Sequence, residues 1–368
     1  MKMLPYTDRE IGRREMVIIT ANVVIGVGIL TFPRGLAKAT GSVDGWISVL
    51  LTGVVFALLG WGLGTLASRF PKQTFPEYAA AIVTRPVAVL LVLFMGVYYT
   101  LFVAFEVRAV GNIAKQYLFT TTPVEVITLC FLLIVQYAVF GLRTALLRLN
   151  MIFLPIVLLV ITIVQLYTLP FFEIDNVKPF FVTDVPSILE GVQVVVLSFT
   201  GLEIILFYGY LLRQPSQAPK DVLLGLSVPI ALYISIYVIV IGVFTADVAM
   251  NLTYPTIELA KEVEVPGGFM ERVESIFFTI WIMTIFNTCS IFFDLAVFMF
   301  QSIFSRLSKV AWLLILSPVI YIVALYPENL VGFFHLGDQL TYAGLVLVYF
   351  IPLLLLLIAK LRGVKGDG

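Results

Sequence analysis

Apolar residues arrive along this chain in long runs rather than in alternation. About 20 mostly apolar residues suffice to cross a bilayer as a helix. Ten runs qualify, near 15–38, 44–67, 87–116, 124–140 and 146–168, then near 187–211, 222–246, 271–301, 310–326 and 341–360. The polar intervals between them are short, and the longest, near 247–270, is too short for a soluble domain. The pattern predicts an all-α integral membrane protein of ten spans, with residues 1–368 forming a single membrane domain. The N-terminal "MKMLPYTDREIGRRE" is mixed in charge, and the run after it continues through a full span into "GLAKATG". That reads as a retained first helix rather than a secretory signal.

Composition agrees with the pattern. Charged residues make up 12% of the chain, apolar ones 60%, and the mean hydropathy is +1.04; soluble domains carry about 25% charged residues. The formal net charge is zero, so no whole-molecule field draws in nucleic acid. The single histidine, His335, excludes a His-rich metal site. Cys130 and Cys289 both lie inside apolar runs and read as small buried hydrophobes. No nucleophile–base pair, metal cluster or phosphate loop stands out, so neither an enzyme nor a cofactor is expected.

Lys and Arg set the expected orientation. Sixteen of the 23 fall in the segments on the N-terminal side of the spans and six on the opposite side, with Arg108 inside the third span. This places both termini in the cytoplasm, as an even span count requires.

The ten spans divide into five and five, about 15–168 and 187–360, so spans one and six correspond if the halves are inverted repeats. Span one carries Gly26 and Gly28, each costing roughly 1 kcal/mol in a helix relative to alanine. Span six has "SFTGLE" at its centre, with Ser198, Phe199, Thr200, Gly201 and Glu203. Paired interruptions in matching spans point to a transporter-type binding site. A break frees backbone groups that lipid cannot satisfy. Free N–H groups near Gly28, Ile29 and Leu30 suit a carboxylate, and carbonyls near Ser198 to Gly201 suit an ammonium group. Together they suit a free amino acid. A second reading stands beside this one: the glycines allow close helix packing.

Ionisable residues inside spans are functional candidates by default. Glu203 is read either as a proton-coupling site or ammonium partner, or as a neutral hydrogen-bonding residue. Glu106 shares a helical face with Tyr99 and Phe102, a face placed to line an outer vestibule and to serve in gating or coupling. An interfacial charge is the alternative there. Asn287 lies near mid-membrane in span eight between Thr284 and Thr288, and Asp294 lies toward its cytoplasmic end. "PTIELAKEV" predicts a short external surface helix, broken by Pro266-Gly267-Gly268.

"GVGIL" in span one resembles the Gly-x-Gly stretch of the amino acid–polyamine–organocation superfamily, with its LeuT-like fold. "FPRGLAKATGSVDGWIS" (32–48) and "YPTIELAKEVEVPGGFMERVESIFFTIWI" (254–282) are similar to hallmark segments of the endospore germination permease family. The resemblance runs through the whole chain. It implies interrupted helices one and six, a place in the inner membrane of a bacterial spore, and the role of a B subunit of a germinant receptor. Such a subunit binds a nutrient germinant, an amino acid by the reading above, and works with an A subunit and a lipoprotein C subunit. A proton- or sodium-coupled amino acid transporter is the alternative.

Overall fold

A computed structural model describes residues 10–119, 121–263 and 273–366. Span one is two helices, α1 (Arg13–Val24) and α2 (Gly28–Thr40), bent by 52° at the break. α3 (Gly45–Arg69) follows, then a short helix α4 (Phe75–Ile82), α5 (Arg85–Tyr117), α6 (Val124–Phe140) and α7 (Arg143–Thr168). Span six begins as α8 (Val185–Val195), tightens into a 3-10 turn at Val196–Phe199, opens at Thr200–Glu203 and resumes as α9 (Ile204–Tyr208). The rest comprises α10 (Ala218–Phe244), the short α11 (Ala246–Ala249) and α12 (Pro255–Lys261), α13 (Val273–Ile303), α14 (Lys309–Leu325), α15 (Leu330–Gly344) and α16 (Ile351–Leu361). α15 and α16 are joined by a π-helical stretch, Leu345–Phe350.

Among the described residues, seven helical segments are long and apolar enough to cross a membrane, and the bent α1–α2 pair, taken as one span, makes an eighth. The shorter apolar helices α6 and α14, 17 residues each, fall on the two remaining predicted runs. At 1.5 Å per residue each is about 25 Å long, near the lower limit for a span. The tenth segment departs from expectation: it starts at Leu330, not near 341. His335 and Asp338 interrupt the apolar run, but they line a cleft rather than lipid, so the helix passes through them. The expected surface helix is α12, whose Pro255, Thr256, Ile257, Leu259 and Ala260 are buried. The Pro266–Gly268 break lies outside the described residues. Cys130 is also corrected, being exposed on the outer face of α6, whereas Cys289 is buried.

Packing follows a five-plus-five exchange. α3 packs along α10 and α5 along α13, that is, span two on seven and span three on eight. α1 packs on α10, and correspondingly α8 and α9 pack on α3. α14 packs on α5, and α6 on α13. Replacing each span by the one five places on maps these contacts onto themselves, as two inverted halves require.

The basic loops gather at one end. Glu10 pairs with Lys72 at 2.5 Å and lies 3.8 Å from Arg213. Ile11 forms a bridge with Leu212, and the Gly366 N–H donates to the Arg69 carbonyl. Buried Asp294 is held there by Arg143, by Lys309 at 3.2 Å and by the Tyr208 hydroxyl at 3.0 Å, which ties α7, α9, α13 and α14 together. At the other end Asp44 accepts three backbone N–H groups, from Phe181 (2.8 Å), Val182 (2.7 Å) and Thr183 (3.1 Å). Burial raises the Asp44 carboxyl, but these three donors outweigh it and hold the group below the ordinary carboxylate value.

Candidate functional site

The two interruptions meet. An added Cβ on Gly28 would lie 2.4 Å from Ser198 Oγ and 2.6 Å from Ser198 Cα. Gly201 adopts φ +117°, and a Cβ there would lie 3.0 Å from the Val23 carbonyl oxygen. Each break therefore presents a glycine to the backbone of the other, and small residues let membrane helices approach this closely.

Backbone groups freed by the breaks find partners on other elements. The Tyr233 hydroxyl, from α10, lies 2.7 Å from the Val24 carbonyl and 3.0 Å from the Ser198 carbonyl, one carbonyl from each break. The Gly201 N–H donates to Glu203 Oε2 at 2.7 Å, and the Tyr349 hydroxyl donates to the same oxygen at 2.5 Å. Tyr349 sits in the π-helical stretch of span ten. Pro33 has no N–H for the carbonyl four residues back, Ile29, and that carbonyl accepts from the buried Thr256 hydroxyl at 2.8 Å. This explains why α12 is pinned to α2.

Two cavities adjoin the crossing. A cleft of about 580 Å³ lies between α2, α8 and α15, lined by Thr31, Arg34, Lys38, Gln193, His335 and Asp338 among aromatic residues. A small void of about 10 Å³ lies deeper, between the breaks, lined by Gly26, Gly28, Phe102, Glu106, Thr200 and Thr288 with apolar neighbours. It has room for about one water-sized group. Val27, Phe105 and Leu197 line both and form the partition. Phe105 stacks on Phe333 with centroids 4.6 Å apart and planes within 5°, which braces the partition from span ten.

The candidate residues separate into those at the cavities and those in the packing around them. Gly26, Gly28, Phe102, Glu106 and Thr200 line the deep void, and Ser198 lines the cleft. Ile29 and Leu30 are buried in the core and line neither. Phe199 packs on Phe56 and Tyr233. Tyr99 turns to Phe207 and Phe292, so of the expected vestibule face only Phe102 and Glu106 reach a cavity, and that cavity is the void rather than the outer cleft. Glu203 is fully buried, caps its own break and lines neither cavity; its Oε1 has no partner among the described residues. Asn287 is buried beside the void-lining Thr288, with its Nδ2 unpartnered among the described residues.

The sequence reading missed Val27, Phe105, Leu197, Tyr233 and Cys289. Phe105 and Leu197 neighbour marked residues, but their apolar side chains carried no signal. Cys289 donates its thiol proton to Glu106 Oε2 at 3.2 Å, more than a packing role. Among the described residues no group of three or more His, Cys, Asp or Glu side chains is placed to hold a metal.

The fold matches solved transporters. One is Mhp1, a nucleobase-cation-symport-1 family transporter in a closed conformation with bromovinylhydantoin bound: TM-score 0.65, 13% identity, covering 97% of this chain and 94% of that one. Another is MhsT in complex with L-phenylalanine: TM-score 0.66, 13% identity, covering 95% and 89%. At this identity the likeness speaks to the fold, which is LeuT-like. In sequence the chain is 40% identical to the spore germination protein GerLB of Bacillus cereus, over 100% of this chain and 99% of that protein. It is 33% identical to YndE of Bacillus subtilis, over 96% and 97%, and 30% identical to spore germination protein A2 of the same species, over 97% of each. The profile of the spore germination protein family matches residues 10–331. The chain therefore belongs to the spore germination permease family.

Proposed function

We propose that this protein is the ligand-binding B subunit of a spore germinant receptor, and that its ligand is a small nutrient, an amino acid by preference. The observation that carries this reading is the crossing of two interrupted spans at Gly28 and Ser198, with an open cleft leading down to it. Irregular backbone at membrane depth is tolerated only where protein or a cavity satisfies it. Here a void reached by the polar side chains of Glu106, Thr200 and Thr288 lies between the breaks. The relatives named as spore germination proteins support the biological role, and the MhsT complex with L-phenylalanine lends the ligand class. On this reading the protein sits in the inner membrane of the spore with both termini cytoplasmic, beside an A subunit and a lipoprotein C subunit.

A coupled amino acid transporter is the second reading, favoured by the fold shared with Mhp1 and MhsT. Proteoliposomes separate the two. A sensor binds labelled amino acid in a saturable way without accumulating it under a proton or sodium gradient. Concentrative uptake would overturn the sensor reading.

A further inference from the structure

We infer that Glu106 is the carboxyl partner of an ammonium group, so that the ligand enters the deep void with its amine leading. This rests on the reading of the crossed breaks as the ligand site and names the group that they recognise. Among the described residues, the polar side chains lining the void are those of Glu106, Thr200 and Thr288, and no Lys, Arg or His lines it. Thr200 Oγ donates to the Leu197 carbonyl at 2.7 Å and Thr288 Oγ to the Thr284 carbonyl at 3.2 Å. Their protons are committed, so the side chains around the void offer acceptor oxygens, among them a carboxyl able to pair with a cation.

The alternative seat for a ligand carboxylate, the start of α2, already faces an internal one. Glu106 is 2% exposed, and its Oε1 would lie 3.3 Å from a Cβ on Gly26, against the break itself. A second carboxyl group there would face the Glu106 carboxyl, with no basic side chain among the described lining residues to pair with it. The Ser198 carbonyl, the other expected seat for an ammonium, is already engaged by Tyr233. Size agrees with charge. The void of about 10 Å³ takes one water-sized group, which an ammonium head resembles and a carboxylate exceeds. The cationic side chains Arg34 and Lys38 line the cleft instead, one helical turn apart on α2, where a carboxylate is tolerated.

The test uses the purified full-length chain in nanodiscs. The probes are the standard amino acids, their decarboxylated amines and their deaminated acids, with binding read by calorimetry. The expected result is that amine-bearing probes bind and the acids do not, and that Glu106→Gln weakens binding about tenfold or more. Binding by amino acids alone identifies the ligand as an α-amino acid. Binding by simple amines as well means that the amine suffices. Binding by amines only, lost in Glu106→Gln, upholds the role of Glu106 and removes the amino acid reading. Acids that bind as tightly as amines, or undiminished affinity in Glu106→Gln, overturn the role of Glu106 and leave the amino acid reading standing. Binding by none of the probes overturns both. If Glu106→Gln does not survive purification, the wild-type preference between amines and acids decides alone.

Discussion

Gly28 is held by what a side chain there would strike. Ser198 Cα lies 2.6 Å from a Cβ on Gly28, and backbone cannot swing aside as a rotamer can. Gly28→Ala should force the two interruptions apart, at an overpacking cost of about 1–3 kcal/mol. The expected outcome is a lower Tm of the purified protein with or without an amino acid present. An unchanged Tm with weakened binding would instead make Gly28 purely a ligand contact. Asp44 gives a second test at this scale, one in pH. Its carboxyl is held below its ordinary value in the folded protein. Its contribution is therefore complete above the unfolded carboxylate pKa of about 4 and is lost as pH falls through the lower folded value. Asp44→Asn should remove about 1.5–3 kcal/mol at neutral pH, the worth of a hydrogen bond to a charged group. The variant's Tm should also lose part of the wild type's fall in acid. Parallel acid profiles for the two proteins would show that the 181–183 segment does not depend on this charge.

Among the elements, α12 tests whether the carbonyl freed by Pro33 governs local stability. Thr256→Val keeps the shape and removes the donor, leaving the buried Ile29 carbonyl unpaired at a cost of about 1–3 kcal/mol. Thr256→Ser keeps the donor and should stay closer to wild type. Equal Tm values for Val and Thr at this position would mean that α12 is held by apolar packing alone. Both interruptions were legible in the sequence, because glycines and polar residues inside apolar runs violate helix propensity where the chain stands. What satisfies them was not. Tyr233, Tyr349 and Thr256 lie on other elements, and one sequence does not reveal which distant hydroxyl meets which carbonyl. The start of span ten was misjudged for a related reason: His335 and Asp338 look like loop residues until α2 and α8 are seen to enclose a cleft with them. Glu203 carried a clear signal of importance, but its partners, Gly201 and Tyr349, show it capping the break, and it lines neither cavity.

At the scale of the whole molecule, the two ends of the bundle differ in charge and in closure. One end collects the basic loops and is closed by the Asp294 cluster, the Glu10 pairs and the Ile11 bridge. The cleft, with Arg34 and Lys38 from segments on the other side, opens away from that end. Basic loops tend to stay in the cytoplasm, so the cleft should face outward, the side from which the proposed nutrient ligand would come. The contacts of Lys261 with Glu258 and Tyr117 and of Gly366 with Arg69 give convenient marks at opposite ends. In a Cys130→Ser background, Lys261→Cys and Lys365→Cys should label from opposite faces with a membrane-impermeant thiol reagent; Cys289, being buried, should contribute little signal. Labelling of both from one face would contradict the bundle. Labelling of Lys365→Cys from outside and Lys261→Cys from inside would keep the fold but turn the cleft to the cytoplasm. An outside nutrient would then have no open path to Glu106, and the sensing role would have to be reassigned to an internal ligand.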